Sequence, residues 1–152
     1  MLKKTAVFLA TGMYAGYSPL APGTLGTLWG IILCFLIPSM NLVIYGAFLT
    51  ISSLAAIWLS SVAKSFLNKK DPRQVVCDEI VGYMFAMFLI SFTLSHVIIV
   101  FLLFRFFDIV KPFPAGLIDK RMDNGFGIVL DDIVAGIYSN IAFRLFAKFI
   151  AV

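Results

Sequence analysis

Charged residues are scarce in this chain, and that scarcity excludes an ordinary soluble domain. Only 13% of the 152 residues are charged and 61% are hydrophobic, whereas about a quarter of a typical soluble domain is charged. The mean hydropathy of +1.01 is typical of an integral membrane protein. Since a helix needs about 20 residues to cross a bilayer, residues 1–152 predict a single membrane-embedded, all-α bundle of about five helices.

Cysteine and histidine are also rare, and their patterns exclude several kinds of site. The two cysteines lack the Cys-x-x-Cys spacing of a zinc or redox site and are too few for a disulfide framework. The chain has neither a Cys-x5-Arg loop nor an Asp-x-Asp motif after a hydrophobic strand, which excludes two common phosphatase chemistries. The single histidine, His96, lies in a predicted turn away from the acidic residues, so phosphohistidine chemistry is not expected either.

Five apolar runs predict the helices, some of them short or re-entrant. The runs are Leu25–Ile37, Leu42–Ala63, Ile80–Thr93, Val97–Ile109 and Ile133–Ile150. Residues 38–41 predict a turn, and residues 64–74 predict a polar loop. Residues 1–17 lack a convincing signal-peptide cleavage site, so we expect them in the mature protein.

The stretch from Ile80 to Ile109 permits two topologies. One long tilted helix and two short helices with a bend near Ser95 and His96 have the same composition. We favour the hairpin, because it places the basic residues other than Arg144 and Lys148 on one side. By the positive-inside rule that side is cytoplasmic. We interpret the two exceptions as side chains that snorkel or pack against a neighbouring helix.

Acidic residues are few but clustered. Seven of the eight lie in four short stretches, Asp78-Glu79, Asp108, Asp119 to Asp123, and Asp131-Asp132. Carboxylates beside or inside apolar helical sequence cost free energy unless a cation binds them. Taken alone, each of the pairs Asp78-Glu79 and Asp131-Asp132 is explained about as well by capping of a helix N-terminus as by a bound cation. In the hairpin topology, however, the acidic residues meet the cytoplasmic interface at a similar depth.

Asp108 does not fit the capping explanation. It is predicted at a helix C-terminus, where the helix dipole disfavours negative charge, so it needs a nearby cation. Arg105 and Lys111 flank it on roughly one helix face, and a plain ion-pair cluster is the simpler alternative. Four or five carboxylates with only one or two such partners would still repel one another, and a divalent ion relieves that repulsion. Oxygen ligands without a cluster of histidines or thiolates favour Mg²⁺ over zinc.

Two further segments could bind an anion. The Pro/Gly-rich residues 18–27 lead into an apolar helix, where Gly23 lets the backbone approach a ligand and Thr24 can bind a phosphate with its hydroxyl. A simple turn with Thr24 as N-cap is the alternative. Residues 111–121 follow the fourth run with two prolines and then alternate apolar and charged residues, which predicts an interfacial loop. Three basic residues of that loop, Lys111, Lys120 and Arg121, could hold an anionic lipid, and a role as topology anchors alone is the alternative.

Four ordered motifs occur at compatible spacing along nearly the whole chain. They are Ser18-Pro19 through Pro22-Gly23-Thr24, Asp78-Glu79 with Val81-Gly82, Phe104-Arg105 with Asp108 and Lys111-Pro112, and Gly127-Ile128 with Asp131 to Gly136. Together they resemble the phosphatidylglycerophosphatase A family. The resemblance implies a multi-pass bacterial inner-membrane enzyme that faces the cytoplasm. It would use Mg²⁺ to hydrolyse phosphatidylglycerophosphate to phosphatidylglycerol and phosphate in phospholipid biosynthesis.

The hypothesis assigns roles to nine residues. The expected catalytic residues are Asp78, Glu79, Asp108, Asp131 and Asp132, and all of these except Asp108 are expected to hold one or two Mg²⁺ ions. The expected substrate-binding residues are Gly23, Thr24, Arg105 and Lys111. One carboxylate would align or deprotonate the attacking water, although spacing leaves open whether water or an Asp side chain attacks phosphorus.

Other functions stay open on the sequence alone. A small cation transporter would also carry membrane carboxylates, and a non-catalytic bundle could use its acids only as helix caps. Carboxylates spread through the bilayer depth would favour transport, and a cluster at one interface favours headgroup chemistry. The expected partners are an anionic phospholipid and the membrane, with no nucleic acid. Gly82 and Ala86 would allow close helix packing or a homo-oligomer.

Overall fold

All the regular secondary structure in the described part of the chain is helical. The computed structural model describes residues 2–37, 41–69 and 72–150. In this part it forms seven α-helices and a short 3₁₀ helix, Ala15–Tyr17, without a strand. The α-helices are α1 Leu2–Ala10, α2 Pro22–Leu36, α3 Leu42–Leu67, α4 Cys77–Ala86, α5 Leu94–Val110, α6 Ala115–Arg121 and α7 Gly125–Ile150. The all-α prediction is confirmed.

The five predicted apolar runs correspond to α2, α3, α4, α5 and α7, and two short helices are additional. Helix α1 occupies the N-terminal segment, and α6 lies in the predicted interfacial loop. Helix α3 continues to Leu67, so the predicted polar loop begins too early; Lys64 lies in the last helical turn. Residues 38–40 of the predicted turn lie outside the described residues. Asn41 is the N-cap of α3, because its side chain accepts a hydrogen bond from the Ile44 amide at 2.9 Å.

Residues 77–110 form a hairpin rather than one long helix. Helix α4 ends at Ala86, and α5 begins at Leu94. Thr93 is the N-cap of α5, because its side chain accepts a hydrogen bond from the His96 amide at 3.3 Å. The bend therefore lies at residues 87–93, and the predicted bend near Ser95 and His96 is wrong by several residues. The N-terminus of α4 and the C-terminus of α5 consequently lie at the same end of the hairpin.

Helix α7 supplies hydrogen bonds to the C-terminal end of α4. Asn140 Nδ2 donates to the carbonyls of Ala86 at 2.9 Å and Phe88 at 2.8 Å. Arg144 Nη2 donates to the carbonyls of Phe88 at 2.8 Å and Leu89 at 3.3 Å. Carbonyls at a helix C-terminus lack partners within their own helix. Arg144 is thus explained by packing against a neighbouring helix.

Helices α4 and α7 cross with their backbones in close contact. A Cβ atom on Gly82 would lie 2.8 Å from both the Asp132 carbonyl oxygen and the Phe104 ring. A Cβ atom on Gly136 would clash with the Gly82 carbonyl oxygen. The crossing needs glycine at both positions, and it brings the acidic N-terminal part of α7 alongside α4.

Two of the described helices, Leu42–Leu67 and Gly125–Lys148, are long and apolar enough to cross a membrane. Large apolar side chains cover the outer surface of α3, namely Leu42, Val43, Ile44, Ile51, Leu54 and Trp58. Helix α4 has only 10 residues and is too short to cross a bilayer by itself. The prediction that some of the helices are short is confirmed.

Candidate active site

Four helix ends converge on one cavity of about 560 Å³. They are the N-terminal ends of α2, α4 and α7 and the C-terminal end of α5. Its charged lining residues are Arg73, Asp78, Glu79, Arg105, Asp108, Lys111, Asp119, Asp131 and Asp132. Gly23 also lines the cavity. The structure thus brings together all the sequence-predicted site residues except Thr24.

Three of the five predicted acids form a compact cluster. Ligand oxygens of Asp78, Glu79 and Asp132 all lie within 4.8 Å of one another. Two buried oxygens of this cluster, Asp78 Oδ1 and Glu79 Oε2, have no hydrogen-bond partner among the described residues. Buried carboxylate oxygens are costly without a partner. The donor set, the close spacing and these two oxygens fit a hard divalent cation such as Mg²⁺.

Burial and mutual repulsion act on the two acids of α4. Burial raises the pKa of Asp78 well above its ordinary value, and the negative charges of Glu79 and Asp132 raise it further. Burial also raises the pKa of Glu79; the Asp108 charge adds to this increase, whereas the nearby Arg105 opposes it. A bound cation would favour the ionised form of both groups.

The other two predicted acids are paired with basic side chains. Arg105 Nη1 lies 2.5 Å from Asp108 Oδ2. Lys111 Nζ lies 2.5 Å from Asp131 Oδ2 and 2.9 Å from Asp119 Oδ1. Asp131, a predicted metal ligand, therefore stands outside the cluster of three acids and binds Lys111. The cation that the helix-dipole argument required beside Asp108 is Arg105.

Lys111 is held at the end of α5 in an uncommon backbone conformation. Its φ of 45° lies in the left-handed region that usually takes glycine at a helix C-terminus. Burial lowers the pKa of Lys111, but the hydrogen bonds and charges of Asp131 and Asp119 outweigh it and leave the pKa above its ordinary value. Lys111 therefore stays charged, and it links the loop before α6 to α7.

The N-terminus of α2 contributes backbone rather than a hydroxyl to the cavity. A Cβ atom on Gly23 would clash with the Glu79 carboxylate and lie 3.0 Å from Arg105 Nη1. Only glycine leaves room there. Thr24 does not line the cavity, and the next threonine, Thr27, is buried and donates to the Gly23 carbonyl at 2.9 Å. The position of Thr24 on the first turn could not be read from the Pro/Gly pattern.

Sequence reasoning missed two charged residues of the cavity. The sequence predicts an interfacial loop around Asp119 and no role for this residue, yet it lies 2.9 Å from Lys111. For Arg73 the sequence predicts only a position on the basic side, yet this residue lines the cavity with an exposed side chain. The proline beside it, Pro72, is buried and marks this segment as packed rather than solvated.

Comparison with known proteins decides the family. Residues 8–147 match the model of the family described as phosphatidylglycerophosphatase A. The chain belongs to this family. The motif resemblance is thereby confirmed, and the chain is a phosphatase.

The names of three relatives of this chain state two different lipid substrates. The chain is 37% identical over 133 residues to phosphatidylglycerophosphatase A of Haemophilus influenzae, covering 86% of this chain and 82% of that protein. It is 31% identical over 132 residues to phosphatidylglycerophosphatase A of Escherichia coli, with 86% and 77% covered. A protein of Bacteroides thetaiotaomicron named provisionally as a phosphatidylinositol-3-phosphatase is 37% identical over 145 residues, with 88% and 87% covered. No solved structure matches the chain.

The cavity holds its acids and its cations side by side. Asp78, Glu79 and Asp132 form the cluster, whereas Arg105 and Lys111 are each paired with an acid outside that cluster. A phosphate group carries negative charge and accepts hydrogen bonds, so it needs the cations directly and the acids only through a metal ion. The arrangement therefore suits a phosphate monoester in the presence of a divalent cation.

Proposed function

We propose that this protein is a membrane-embedded, Mg²⁺-dependent lipid phosphatase that hydrolyses phosphatidylglycerophosphate to phosphatidylglycerol and phosphate. The observation that carries the proposal is the cluster of Asp78, Glu79 and Asp132 inside a cavity that also contains Arg105 and Lys111. Two relatives named phosphatidylglycerophosphatase A support the choice of substrate. The clustering of the acids at one end of the bundle favours catalysis over a cation-transport path.

Three carboxylates would hold the metal. Asp78 and Glu79 reach the cluster from the first turn of α4, and Asp132 reaches it from α7. When bound, Mg²⁺ supplies charge that stabilises the phosphate oxygens as the transition state develops. Asp131 is more suited to orient Lys111, and Asp108 to orient Arg105, than to bind the metal.

The remaining groups would bind and orient the phosphate. Arg105 and Lys111 offer charged N–H donors, and Gly23 lets the phosphate approach the backbone at the start of α2. One carboxylate of the cluster would accept a proton from the attacking water. Asp78 is a candidate for that role, because it is buried and lies in the cluster beside Glu79 and Asp132.

The proposed location is the bacterial inner membrane, with the cavity facing the cytoplasm. Helices α3 and α7 are the candidate spans. Basic residues concentrate at the cavity end, including Lys64, Lys120 and Arg121 near helix ends. Such a bias supports a cytoplasmic position for that end.

An assay of phosphate release tests the function directly. The purified protein in detergent would be incubated with phosphatidylglycerophosphate, with Mg²⁺ or with a chelator in excess. We expect release that requires Mg²⁺. Full activity in the chelator would refute the metal dependence, and no release under any condition would refute the activity.

Phosphatidylinositol 3-phosphate is the second candidate substrate, because one relative bears that activity in its name. Both lipids present a phosphate monoester, and they differ in the alcohol that carries it. The same assay with equal mole fractions of the two lipids compares kcat/KM. We expect phosphatidylglycerophosphate to be preferred, and the reverse order would reassign the substrate.

A further inference from the structure

An apolar groove of about 310 Å³ lies between α5 and α7, beside the active-site cavity. Phe107, Phe113, Tyr138, Ala142 and Leu145 are among its walls, and none of its described lining residues is charged. Leu145 is 54% exposed and Phe113 is 78% exposed, so the groove opens to the surroundings of the protein. None of the roles assigned above uses this groove.

Neighbouring residues of the chain line the groove and the catalytic cavity. Asp108 and Lys111 line the cavity, whereas Phe107 and Phe113, which bracket them, line the groove. The Tyr138 hydroxyl donates to the Phe113 carbonyl at 2.7 Å and thereby ties this turn to α7. The end of α5 and the turn that follows it thus form a shared wall, polar on one side and apolar on the other.

One face of α7 connects the two spaces. Asp131, Tyr138, Ala142 and Leu145 are spaced by i, i+7, i+11 and i+14, which keeps them on one stripe of a helix. At 1.5 Å per residue the groove residues lie about 10 to 20 Å from Asp131 along the helix axis. One leaflet of hydrocarbon is about 15 Å thick. If the acids lie at the headgroup level, the groove lies at the depth of the acyl chains in the same leaflet.

We propose that the groove holds an acyl chain of the phospholipid substrate while its phosphate lies in the cavity. The proposal rests on the proposed lipid phosphatase function and adds the path of the lipid tail. A phospholipid joins an anionic headgroup to apolar chains, and the stripe on α7 presents the matching sequence of environments. Since bilayer lipid is as apolar as the groove, the contact contributes orientation of the headgroup rather than affinity for the membrane.

Photolabelling of the unmodified protein tests the occupant. Phosphatidylglycerophosphate with a diazirine in the middle of one acyl chain would be irradiated with the protein, and labelled residues mapped by mass spectrometry. We expect labels on residues 138–145 that an excess of unlabelled phosphatidylglycerophosphate removes but an excess of phosphatidylcholine does not. Labels on the exposed face of α3 at residues 51–58 should resist both competitors. Equal labelling of the two helices without competition would overturn the proposal.

A variant in which a larger side chain fills the groove tests whether the groove contributes to catalysis. Ala142→Phe places a ring in the groove, and Ala55→Phe adds the same bulk to an exposed position of α3. We expect Ala142→Phe to lower kcat/KM for the diacyl substrate by about tenfold or more through misplacement of the headgroup, with little effect on the deacylated headgroup phosphate. Ala55→Phe should leave both rates near those of the unmodified protein.

The two arms separate the failure of this proposal from the failure of the function. An unmodified protein that is inactive on phosphatidylglycerophosphate refutes the function, while the photolabelling map still reports on the groove. Equal kcat/KM for Ala142→Phe and Ala55→Phe refutes the groove. A change of molecular mass in light scattering for Ala142→Phe would assign this face to a second copy of the chain and would also overturn the proposal.

Discussion

Asp131 and Asp132 are adjacent in the sequence but bind different partners. Successive side chains on a helix are about 100° apart, so they face different neighbours. Asp131 lies 2.5 Å from Lys111, whereas Asp132 lies in the cluster with Asp78 and Glu79. The two carboxylates should therefore differ in their effect on metal binding.

We expect Asp132→Asn to remove Mg²⁺ binding and to lower kcat by about a hundredfold or more, because it removes a ligand charge from the cluster. Asp131→Asn should retain Mg²⁺ binding and lower kcat by about tenfold through the loss of its contact with Lys111. Titration calorimetry with Mg²⁺ and the phosphate-release assay measure the two effects. Asp123→Asn is the matched control, since Asp123 is exposed and pairs with Lys64 away from the cluster. Equal Mg²⁺ affinity in Asp131→Asn and Asp132→Asn would contradict the division of the acids.

Removal of the Lys111 charge should destabilise the protein through Asp131, whose side chain is only 4% exposed. Lys111→Met leaves a buried carboxylate without its partner, which costs about 1–3 kcal/mol. The double variant Lys111→Met with Asp131→Asn should recover most of that stability but not the activity. The apparent Tm in detergent and the rate of phosphate release separate the two roles. A double variant as unstable as Lys111→Met would mean that the ion pair does not account for the loss.

At the scale of single residues, the sequence predicted that Asp108 needs a nearby cation, but it did not predict which acid pairs with which basic side chain. Asp108 at a helix C-terminus required a positive neighbour, and Arg105 three residues earlier is that neighbour. Which member of Asp131-Asp132 faces Asp78 and Glu79 depends on the rotation of α7, and that rotation is set by its crossing with α4. A sequence pattern does not contain that angle. The contact of Asp119 with Lys111, eight residues earlier in the same predicted loop, depends on how α6 packs against the end of α5, which the spacing alone does not give.

At the scale of helices, α4 depends on α7 at both of its ends. Its N-terminal acids meet Asp132, and its C-terminal carbonyls receive hydrogen bonds from Asn140 and Arg144. The apolar run of α4 predicted that a helix exists there, and the placement of the basic residues on one side favoured a hairpin. The partner of its C-terminal end came from residues some 54 positions away in the chain, so no local signal could identify it.

Substitution of Asn140 should therefore disturb the active site from a distance. Asn140→Ala leaves the carbonyls of Ala86 and Phe88 without that donor, and we expect a loss of about 1–3 kcal/mol in stability. Activity should fall with it, because α4 carries Asp78 and Glu79. Lys148→Ala on the same helix is the control and should leave both the apparent Tm and the rate unchanged. Comparable losses in the two variants would show that α7 is sensitive to substitution in general.

The crossing of α4 and α7 at Gly82 and Gly136 leads to a second prediction at the scale of helices. Gly82→Ala places a methyl group 2.8 Å from the Asp132 carbonyl and from the Phe104 ring. Since the first of these contacts is backbone, the helices must separate, and we expect a loss of activity greater than tenfold with a lower apparent Tm. Gly46→Ala on α3 is the matched control, because nothing lies within 4 Å of its added Cβ. It should instead stabilise the protein by about 0.5–1 kcal/mol, as alanine does in place of glycine within a helix.

At the scale of the whole molecule, polar and apolar surfaces divide along the bundle axis. The charged cavity and helix α6 lie at one end, and the loop at residues 87–93 lies at the other. Helix α5 connects the two ends and has 17 residues, which span about 25 Å. That length approaches the thickness of the hydrocarbon core, about 30 Å. The two ends should therefore face opposite sides of the membrane or lie near its opposite interfaces.

Cysteine labelling measures which end faces the cytoplasm. Lys120→Cys places a thiol on α6 near the cavity, and Ser95→Cys places one at the start of α5; both positions are exposed. Cys34 and Cys77 are buried and should not react with a membrane-impermeant maleimide. We expect Ser95→Cys to react in intact spheroplasts and Lys120→Cys to react only in inverted membrane vesicles, because the basic residues at the cavity end favour the cytoplasmic side. The opposite pattern would place the cavity outside the cytoplasm and contradict the proposed orientation.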